Sequence, residues 1–134
     1  MNRDSNGYTF LFAASMVLVV ASTLAFTASS LKSLQEENVR KEKMQNILST
    51  IGIQTDRDQA ERIYKNHITG TLALDHLGNN DETVDAFQLK LNSEIKKPVK
   101  EQRFPVYKAV VDNVSYYIIP LRGSGLWDAI WGYI

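Results

Sequence analysis

An uninterrupted apolar segment lies at the start of the chain. Residues 5–31 contain no charged side chain, and residues 7–26 are mostly apolar. Because an α-helix rises about 1.5 Å per residue, roughly 20 apolar residues cross the ~30 Å hydrocarbon core of a bilayer. The pattern predicts a short tail and one transmembrane anchor helix in residues 1–31, followed by a water-soluble domain in residues 32–134. A cleaved signal peptide is the competing interpretation, but its apolar core is shorter, about 7–15 residues.

The helical pattern continues beyond the anchor. Glu36 with Arg40, and Glu37 with Lys41, stand four residues apart in the acid-first order that stabilises a helix. The Lys-Glu-Lys run that begins at Lys41 predicts a solvated helix face, and Gly52 is predicted to end the helix. The apolar positions at helix-like spacings are Leu31, Leu34, Met44, Ile47, Leu48 and Ile51.

A second helix is predicted to begin at Thr55 or Asp56. Asp58 and Gln59 follow these residues by three positions, which is the spacing of a capping box. The apolar face predicted for this helix consists of Ala60, Ile63, Tyr64 and Ile68.

The remaining pattern predicts mainly β-structure. Residues 71–75 are a candidate strand, and residues 87–92 alternate strictly between apolar and polar, as a half-buried strand does. Residues 106–111 and 114–119 are rich in β-forming side chains. Asp112-Asn113 joins them, and both residues tolerate a positive φ, so the pattern predicts a β-hairpin with a two-residue turn.

The last segment contains closely spaced glycines and then becomes strongly apolar. Pro120 is predicted to end the hairpin, and Gly123-Ser124-Gly125 to form a flexible loop. Residues 126–134 are strongly apolar and aromatic, and residues 131–134 have the composition of the first half of a buried strand. We therefore expect a truncated chain or a domain completed by another polypeptide. The fold class predicted overall is α+β, with a single N-terminal transmembrane helix.

Composition excludes several kinds of function. The formal net charge is +0, with 15 basic and 15 acidic residues, so nucleic acid is a poor candidate partner. The chain has no cysteine, which excludes disulfides, thiolate metal sites and a catalytic thiol. His67 and His76 are the only histidines, and the sequence shows no metal-ligand cluster or catalytic set around them.

One short motif has the chemistry of a cofactor loop. Gly123 and Gly125 are separated by one residue, and glycines allow a backbone to approach a ligand closely. Leu126 and Trp127 follow, and the indole offers a flat surface against which a planar ring can pack. These four residues are the candidate cofactor-binding residues. The alternative interpretation is an ordinary turn followed by a core tryptophan.

Together, several segments resemble the C-subunit of the bacterial Na⁺-translocating NADH:quinone oxidoreductase, a member of the FMN-binding domain family. They are Phe104-Pro-Val-Tyr107, the hairpin, residues 117–134 with their Gly-Ser-Gly-Leu-Trp and Trp-Gly-Tyr blocks, and the plan of one apolar helix leading into a charged helix that ends near residue 53. The resemblance concerns only the N-terminal part of that family. The G-subunit of the electron-transport complex, a related flavoprotein, is a near alternative.

The resemblance implies a function and a location. Members carry FMN covalently on a threonine of a Ser-Gly-Ala-Thr motif, which is absent from these residues, so this chain contains no attachment site. The flavin relays electrons toward quinone, coupled to sodium export. The implied partners are the other membrane subunits of the complex and membrane lipid. The implied location is the bacterial inner membrane with a periplasmic domain. The number of basic residues beside the apolar segment favours the opposite orientation, because Arg3 precedes it whereas Lys32, Arg40 and their basic neighbours follow it, and the more basic side usually faces the cytoplasm.

Two alternatives of another class remain open. Gly7-Tyr-Thr-Phe-Leu-Phe12 resembles the start of a pilin-like structural protein, but Phe12 stands where such proteins have a glutamate. The other alternative is a non-catalytic anchored scaffold or interaction domain, which would share the helix and the hairpin but lack flavin.

Overall fold

A computed structural model describes residues 6–134 and has the predicted α+β fold. The chain divides into two compact units between Val39 and Arg40, which are described separately. In chain order the elements are α1 (Asn6–Thr50), α2 (Ala60–His67), β1 (Ile68–Leu74), α3 (Leu91–Glu94), a 3₁₀ turn (Val99–Glu101), β2 (Phe104–Val111), β3 (Val114–Ile118), β4 (Pro120–Ser124) and β5 (Ala129–Tyr133).

The first unit contains the apolar part of α1. Within residues 6–134, α1 is the helix that is long and apolar enough to cross a membrane, with a mean hydropathy of 2.1 over its best window and none of that window buried. Four hydroxyls in this part donate to the carbonyl four residues earlier, so they need no water as partner. They belong to Ser15, Thr23, Thr27 and Ser30.

The second unit has its core where the end of α1 meets α2 and the sheet. The buried cluster consists of Met44, Ile47, Leu48, Ala60, Tyr64, Tyr107, Ala109 and Ile118. Gly52 follows the helix with φ +80°, and the Ile53 N–H donates to the Leu48 carbonyl at 3.0 Å. This is a glycine-terminated helix end, so the prediction for Gly52 is confirmed.

Helix α2 begins later than predicted. It starts at Ala60, and Gln59 makes no side-chain capping bond. The Thr55 hydroxyl donates to the Asp56 carbonyl at 3.2 Å, and the Gln59 N–H donates to that same carbonyl at 3.1 Å, which closes a turn ahead of the helix. The capping-box prediction is therefore wrong, because these groups satisfy one another within the turn.

The predicted pairing of Arg40 also differs in the structure. Arg40 pairs with Glu61 of α2 at 2.7 Å, while Glu36 pairs with Lys32 at 3.9 Å. The Arg40 guanidinium therefore forms its ion pair with another helix instead of with Glu36, the partner that the i,i+4 pattern predicted.

The main sheet is antiparallel in the order β1-β2-β3. Tyr107 of β2 lies opposite Thr71 of β1 and Ile118 of β3. Asp112 and Asn113 have φ values of 49° and 62°, so the predicted two-residue hairpin turn is confirmed. Strand β1 begins at Ile68, earlier than the predicted strand over residues 71–75.

The predicted strand over residues 87–92 does not form. The Asp85 carboxylate accepts the Phe87 N–H at 2.9 Å, and the Asp85 carbonyl accepts the Gln88 N–H at 3.1 Å. These bonds make a turn, and α3 follows at Leu91. Apolar and polar side chains still alternate between half-buried and exposed positions, so the pattern correctly predicted the buried side but not strand pairing.

Strands β4 and β5 form a separate two-stranded sheet. Ile119 and Ile134 exchange backbone hydrogen bonds of 2.8 and 3.0 Å, which extends the β4–β5 register by one pair. Gly123 and Ser124 are paired strand residues, so the predicted flexible loop is wrong at these positions. The segment predicted to be a buried strand does lie in β5 but is only partly buried, because Trp131 and Ile134 are 58% and 68% exposed whereas Tyr133 packs against the core cluster. Pro120 starts β4 and therefore marks the boundary between two strands.

Candidate functional site

The four candidate cofactor residues all lie in the β4–β5 hairpin. Gly123 pairs with Ile130, and Gly125 follows the last residue of β4. Leu126 and Trp127 form the turn and are 100% and 99% exposed. The structure therefore brings the four together on one hairpin, with the two large side chains in solvent.

The two glycines differ in what the hairpin requires of them. A Cβ on Gly125 would lie 2.5 Å from the Asp128 carbonyl oxygen, to which the Gly125 N–H donates at 2.9 Å. Hairpin closure by itself thus explains glycine at this position. Among residues 6–134, no atom outside the chain neighbours of Gly123 lies within 4 Å of such a Cβ, so packing does not explain glycine at this position. A role for the four residues in shaping a flavin pocket stays a prediction.

A cavity of about 200 Å³ lies beside this hairpin, within the second unit. Its walls come from α1, the segment before and within α3, β2 and the β4–β5 hairpin. The lining residues are Lys43, Leu89, Lys90, Leu91, Asn92, Pro105, Tyr107, Pro120, Leu121, Arg122, Trp131, Gly132 and Tyr133. None of the four candidate residues is among them.

Lys43 is the most constrained cation of the cavity. Its Nζ donates to the Phe87 carbonyl and, at 3.4 Å, to the Leu89 carbonyl. The ammonium also lies 4.7 Å from the centre of the Phe87 ring and 5.9 Å from that of Tyr107. Burial lowers the pKa of Lys43, and the Asp85 carboxylate partly offsets this. The predicted solvated helix face is therefore wrong at Lys43.

An aromatic cluster borders the cavity on the core side. Successive ring centres of Tyr64, Phe87, Tyr107 and Tyr133 are 5.7, 6.5 and 6.4 Å apart. The hydroxyls of Tyr64 and Tyr107 are buried and have no hydrogen-bond partner within residues 6–134. Burial, followed by the neighbouring tyrosines, raises the pKa of Tyr107, and burial also raises the pKa of Tyr64 and Tyr133. All three phenols are therefore neutral at physiological pH.

The histidines do not contribute to a site. The Nδ1 of His67 lies 2.9 Å from the Ile63 carbonyl of its own helix, and His76 is exposed in a turn. Within the described part of the chain, no group of three or more His, Cys, Asp or Glu side chains could hold a metal ion.

Comparison with known proteins shows which family this architecture resembles. No protein-family model and no curated protein matches the chain. A solved structure does match, the crystal structure of the C-subunit of Na⁺-translocating NADH-quinone reductase from Parabacteroides distasonis, with 33% identity and a TM-score of 0.69. This chain is similar to that C-subunit. The match covers 77% of this chain and 49% of the other, so this chain spans about half the length of its relative.

The resemblance predicted from the sequence is thus confirmed. The volume of the cavity can therefore be compared with the volume that a flavin site needs. Pockets for drug-sized ligands measure about 300–1,000 Å³. The cavity here is smaller, about 200 Å³, and Leu126 and Trp127 point into solvent rather than lining it. The described residues alone therefore do not fit a flavin, and no chemical step through one follows from them.

Sequence patterns missed Lys43 and Arg122 as cavity residues. Lys43 directly precedes Met44, the first buried residue of α1, which was the available signal that it lies at the edge of the core. Arg122 lies between apolar Leu121 and Gly123 in a strand, a position that no motif marked. Both became cavity residues only because distant segments pack around them.

Proposed function

We propose that this chain belongs to a membrane-anchored subunit of a Na⁺-translocating NADH:quinone reductase. The observation that carries the proposal is the match to the C-subunit at 33% identity and a TM-score of 0.69. The exposed apolar stretch of α1 supports a single-pass anchor, since an unburied stretch of this length is stable in a bilayer. The proposed partners are the other membrane subunits of the complex and membrane lipid.

The proposal extends to cofactor and reaction. In a protein of the relative's length, covalently bound FMN would relay electrons toward quinone, coupled to sodium export. A flavin would supply the redox chemistry, and the protein would supply binding, orientation and electrostatics. In this proposal, residues 6–134 supply the membrane anchor and the β4–β5 hairpin. Within that hairpin, Gly123, Gly125, Leu126 and Trp127 shape the flavin pocket together with further protein.

Co-isolation from native membranes tests the proposed complex. The chromosomal gene is tagged, membranes are solubilised in mild detergent, and the captured material is assayed for NADH oxidation by a quinone with and without Na⁺. We expect activity that rises with Na⁺, together with co-purifying membrane subunits. The matched control is an unrelated single-pass protein with the same tag. Capture of this protein without any such activity would contradict the proposal.

The flavin is tested separately on the same captured protein. After a denaturing gel, a covalent flavoprotein fluoresces under ultraviolet light, and its intact mass exceeds the polypeptide mass by one FMN. A dark band whose mass equals that of the polypeptide would refute the flavin assignment. In that case a scaffold or interaction role would account for the anchored domain.

Membrane orientation can be measured because the chain has no cysteine. Ser93→Cys places one thiol at an exposed position of the domain, and Ser5→Cys places one before residues 7–26 of the apolar segment in the sequence. We propose that the domain lies in the periplasm of the bacterial inner membrane. A membrane-impermeant maleimide should therefore label the Ser93→Cys protein in intact spheroplasts and the Ser5→Cys protein only after lysis. The reverse pattern would place the domain in the cytoplasm.

A further inference from the structure

Within the described residues, the charged side chains that line the cavity beside the β4–β5 hairpin are all cations. Its charged lining residues are Lys43, Lys90 and Arg122. The other polar groups include the amide of Asn92 and the aromatic donors of Trp131 and Tyr133. Charges of one sign in a concave site with apolar walls focus the electrostatic field and raise the local concentration of counter-ions. The lining therefore favours an anion that carries hydrogen-bond acceptors.

Two of these cations are available for a ligand. Lys43 is held by the Phe87 and Leu89 carbonyls, and the Asp85 carboxylate partly balances its charge. Lys90 and Arg122 also line the cavity and are exposed, and neither forms an ion pair within residues 6–134. An arginine fork with free donors suits the two oxygens of a carboxylate or phosphate group.

Tyr107 forms the inner wall of the same cavity. It lines the cavity, is 0% exposed, and has a buried hydroxyl with no partner among the described residues. A buried hydroxyl without a partner is costly, because it has lost its hydrogen bonds to water. Because the hydroxyl oxygen is inaccessible, Tyr107 forms part of the cavity wall in this structure and is not counted among the donors to a ligand.

We propose that this cavity is a binding site for a small oxyanion, a carboxylate or phosphate group, with Arg122 as its principal charged contact. The cavity measures about 200 Å³, below the roughly 300–1,000 Å³ of sites for drug-sized ligands, which suits a group of this size. The aromatic walls formed by Tyr107 and Trp131 fit a small planar group attached to the anion. The proposal is independent of electron transfer by the complex.

Binding can be followed through Trp131, which lines the cavity. The chain has two tryptophans, so Trp127→Phe leaves Trp131 as the single reporter. The full chain in uncharged detergent is titrated with sodium benzoate and with sodium phosphate at constant ionic strength. Benzamide, which has nearly the shape of benzoate but no charge, is the neutral comparison. Arg122→Gln removes the proposed contact, and Lys96→Gln removes an exposed cation that does not line the cavity.

We expect a saturable fluorescence change with benzoate, with phosphate, or with both, and none with benzamide. Saturation by phosphate alone would identify the tetrahedral anion, and saturation by benzoate alone would identify a planar carboxylate. Arg122→Gln should weaken binding about tenfold, as the loss of one charge-assisted hydrogen bond does, whereas Lys96→Gln should change it less than twofold. Circular dichroism confirms that both variants keep their helix content.

Three results would overturn the proposal. They are equal binding of benzamide and benzoate, equal affinity in the Arg122→Gln and Lys96→Gln proteins, and a fluorescence change that never saturates with either anion. The first result would identify an apolar cavity, and the other two would show general attraction to a cationic surface.

Discussion

Removing the Tyr107 hydroxyl should stabilise the second unit. The hydroxyl is buried without a hydrogen-bond partner among residues 6–134, while the ring packs against Phe87 and Tyr133 at centre distances of 6.5 and 6.4 Å. Tyr107→Phe keeps the ring and deletes only the oxygen. Most tyrosine hydroxyls are hydrogen-bonded when buried, so the usual expectation for this substitution is a loss of stability.

The expected magnitude follows from the burial. An unsatisfied buried polar group lowers the free energy of unfolding by about 1–3 kcal/mol. Deleting the oxygen removes this cost but leaves a small void, which offsets part of the gain in stability. We therefore expect Tyr107→Phe to raise the free energy of unfolding by about 1 kcal/mol. For a unit of this size the corresponding rise in Tm is about 4–8 °C. Tyr117→Phe, at an exposed position of β3, is the matched control and should stay within about 0.5 kcal/mol of the wild type.

The assay is urea denaturation of the full chain in detergent, followed by near-ultraviolet circular dichroism at pH 7 and again at pH 11. Burial raises the pKa of Tyr107 above its usual value of 10.0. Above pH 10 the phenol of the unfolded chain therefore loses a proton that the folded chain retains. Ionisation of Tyr107 has no effect on the free energy of unfolding of the wild type below pH 10 and lowers it as pH rises further. Tyr107→Phe removes that loss, and its advantage over the wild type should increase at pH 11.

Lys43 affects this pH dependence in the opposite direction. Because burial lowers its folded pKa, stability rises with pH between that value and 10.5. The same rise is present in the wild type and in Tyr107→Phe, so it cancels in their difference. A loss of 1 kcal/mol or more in Tyr107→Phe at pH 7 would refute the reasoning, because it would show that the hydroxyl has a partner, such as a bound water.

Three further substitutions test the fold by the same denaturation assay. Asn113→Val should cost about 1–2 kcal/mol because φ is 62° at this position, whereas Asn113→Gly should cost nothing. Ile47→Ala should cost about 2–5 kcal/mol, since Ile47 is 0% exposed, and Val39→Ala, at an exposed position, should cost less than about 0.5. Glu94→Ala should cost about 1–3 kcal/mol, because the Arg103 N–H loses its acceptor at 3.0 Å.

Each of these has a result that would contradict it. An Asn113→Val protein as stable as the wild type would mean that the turn tolerates another geometry. Equal losses in the Ile47 and Val39 variants would place the core elsewhere. An unchanged Glu94→Ala protein would show that this buried carboxylate contributes no net stability.

Local sequence determined the features that depend on a few adjacent residues. The apolar run predicted α1, Gly52 predicted its end, and Asp112-Asn113 predicted the turn between β2 and β3. Each of these depends on backbone propensity or on a continuous apolar length, which neighbours in the chain already specify. The alternation over residues 87–92 predicted which side chains face the core for the same reason.

Tertiary structure decided what distant segments do to one another. The Phe87 and Leu89 carbonyls bond to Lys43 of α1 rather than to a strand, so an alternating segment remains unpaired. The Lys43 ammonium is half-buried although its neighbours in sequence are charged, because the aromatic rings that cover it come from elsewhere in the chain. Burial, the pKa of a side chain and the lining of a cavity depend on which surfaces meet, and periodicity along the chain carries no information about the partner surface.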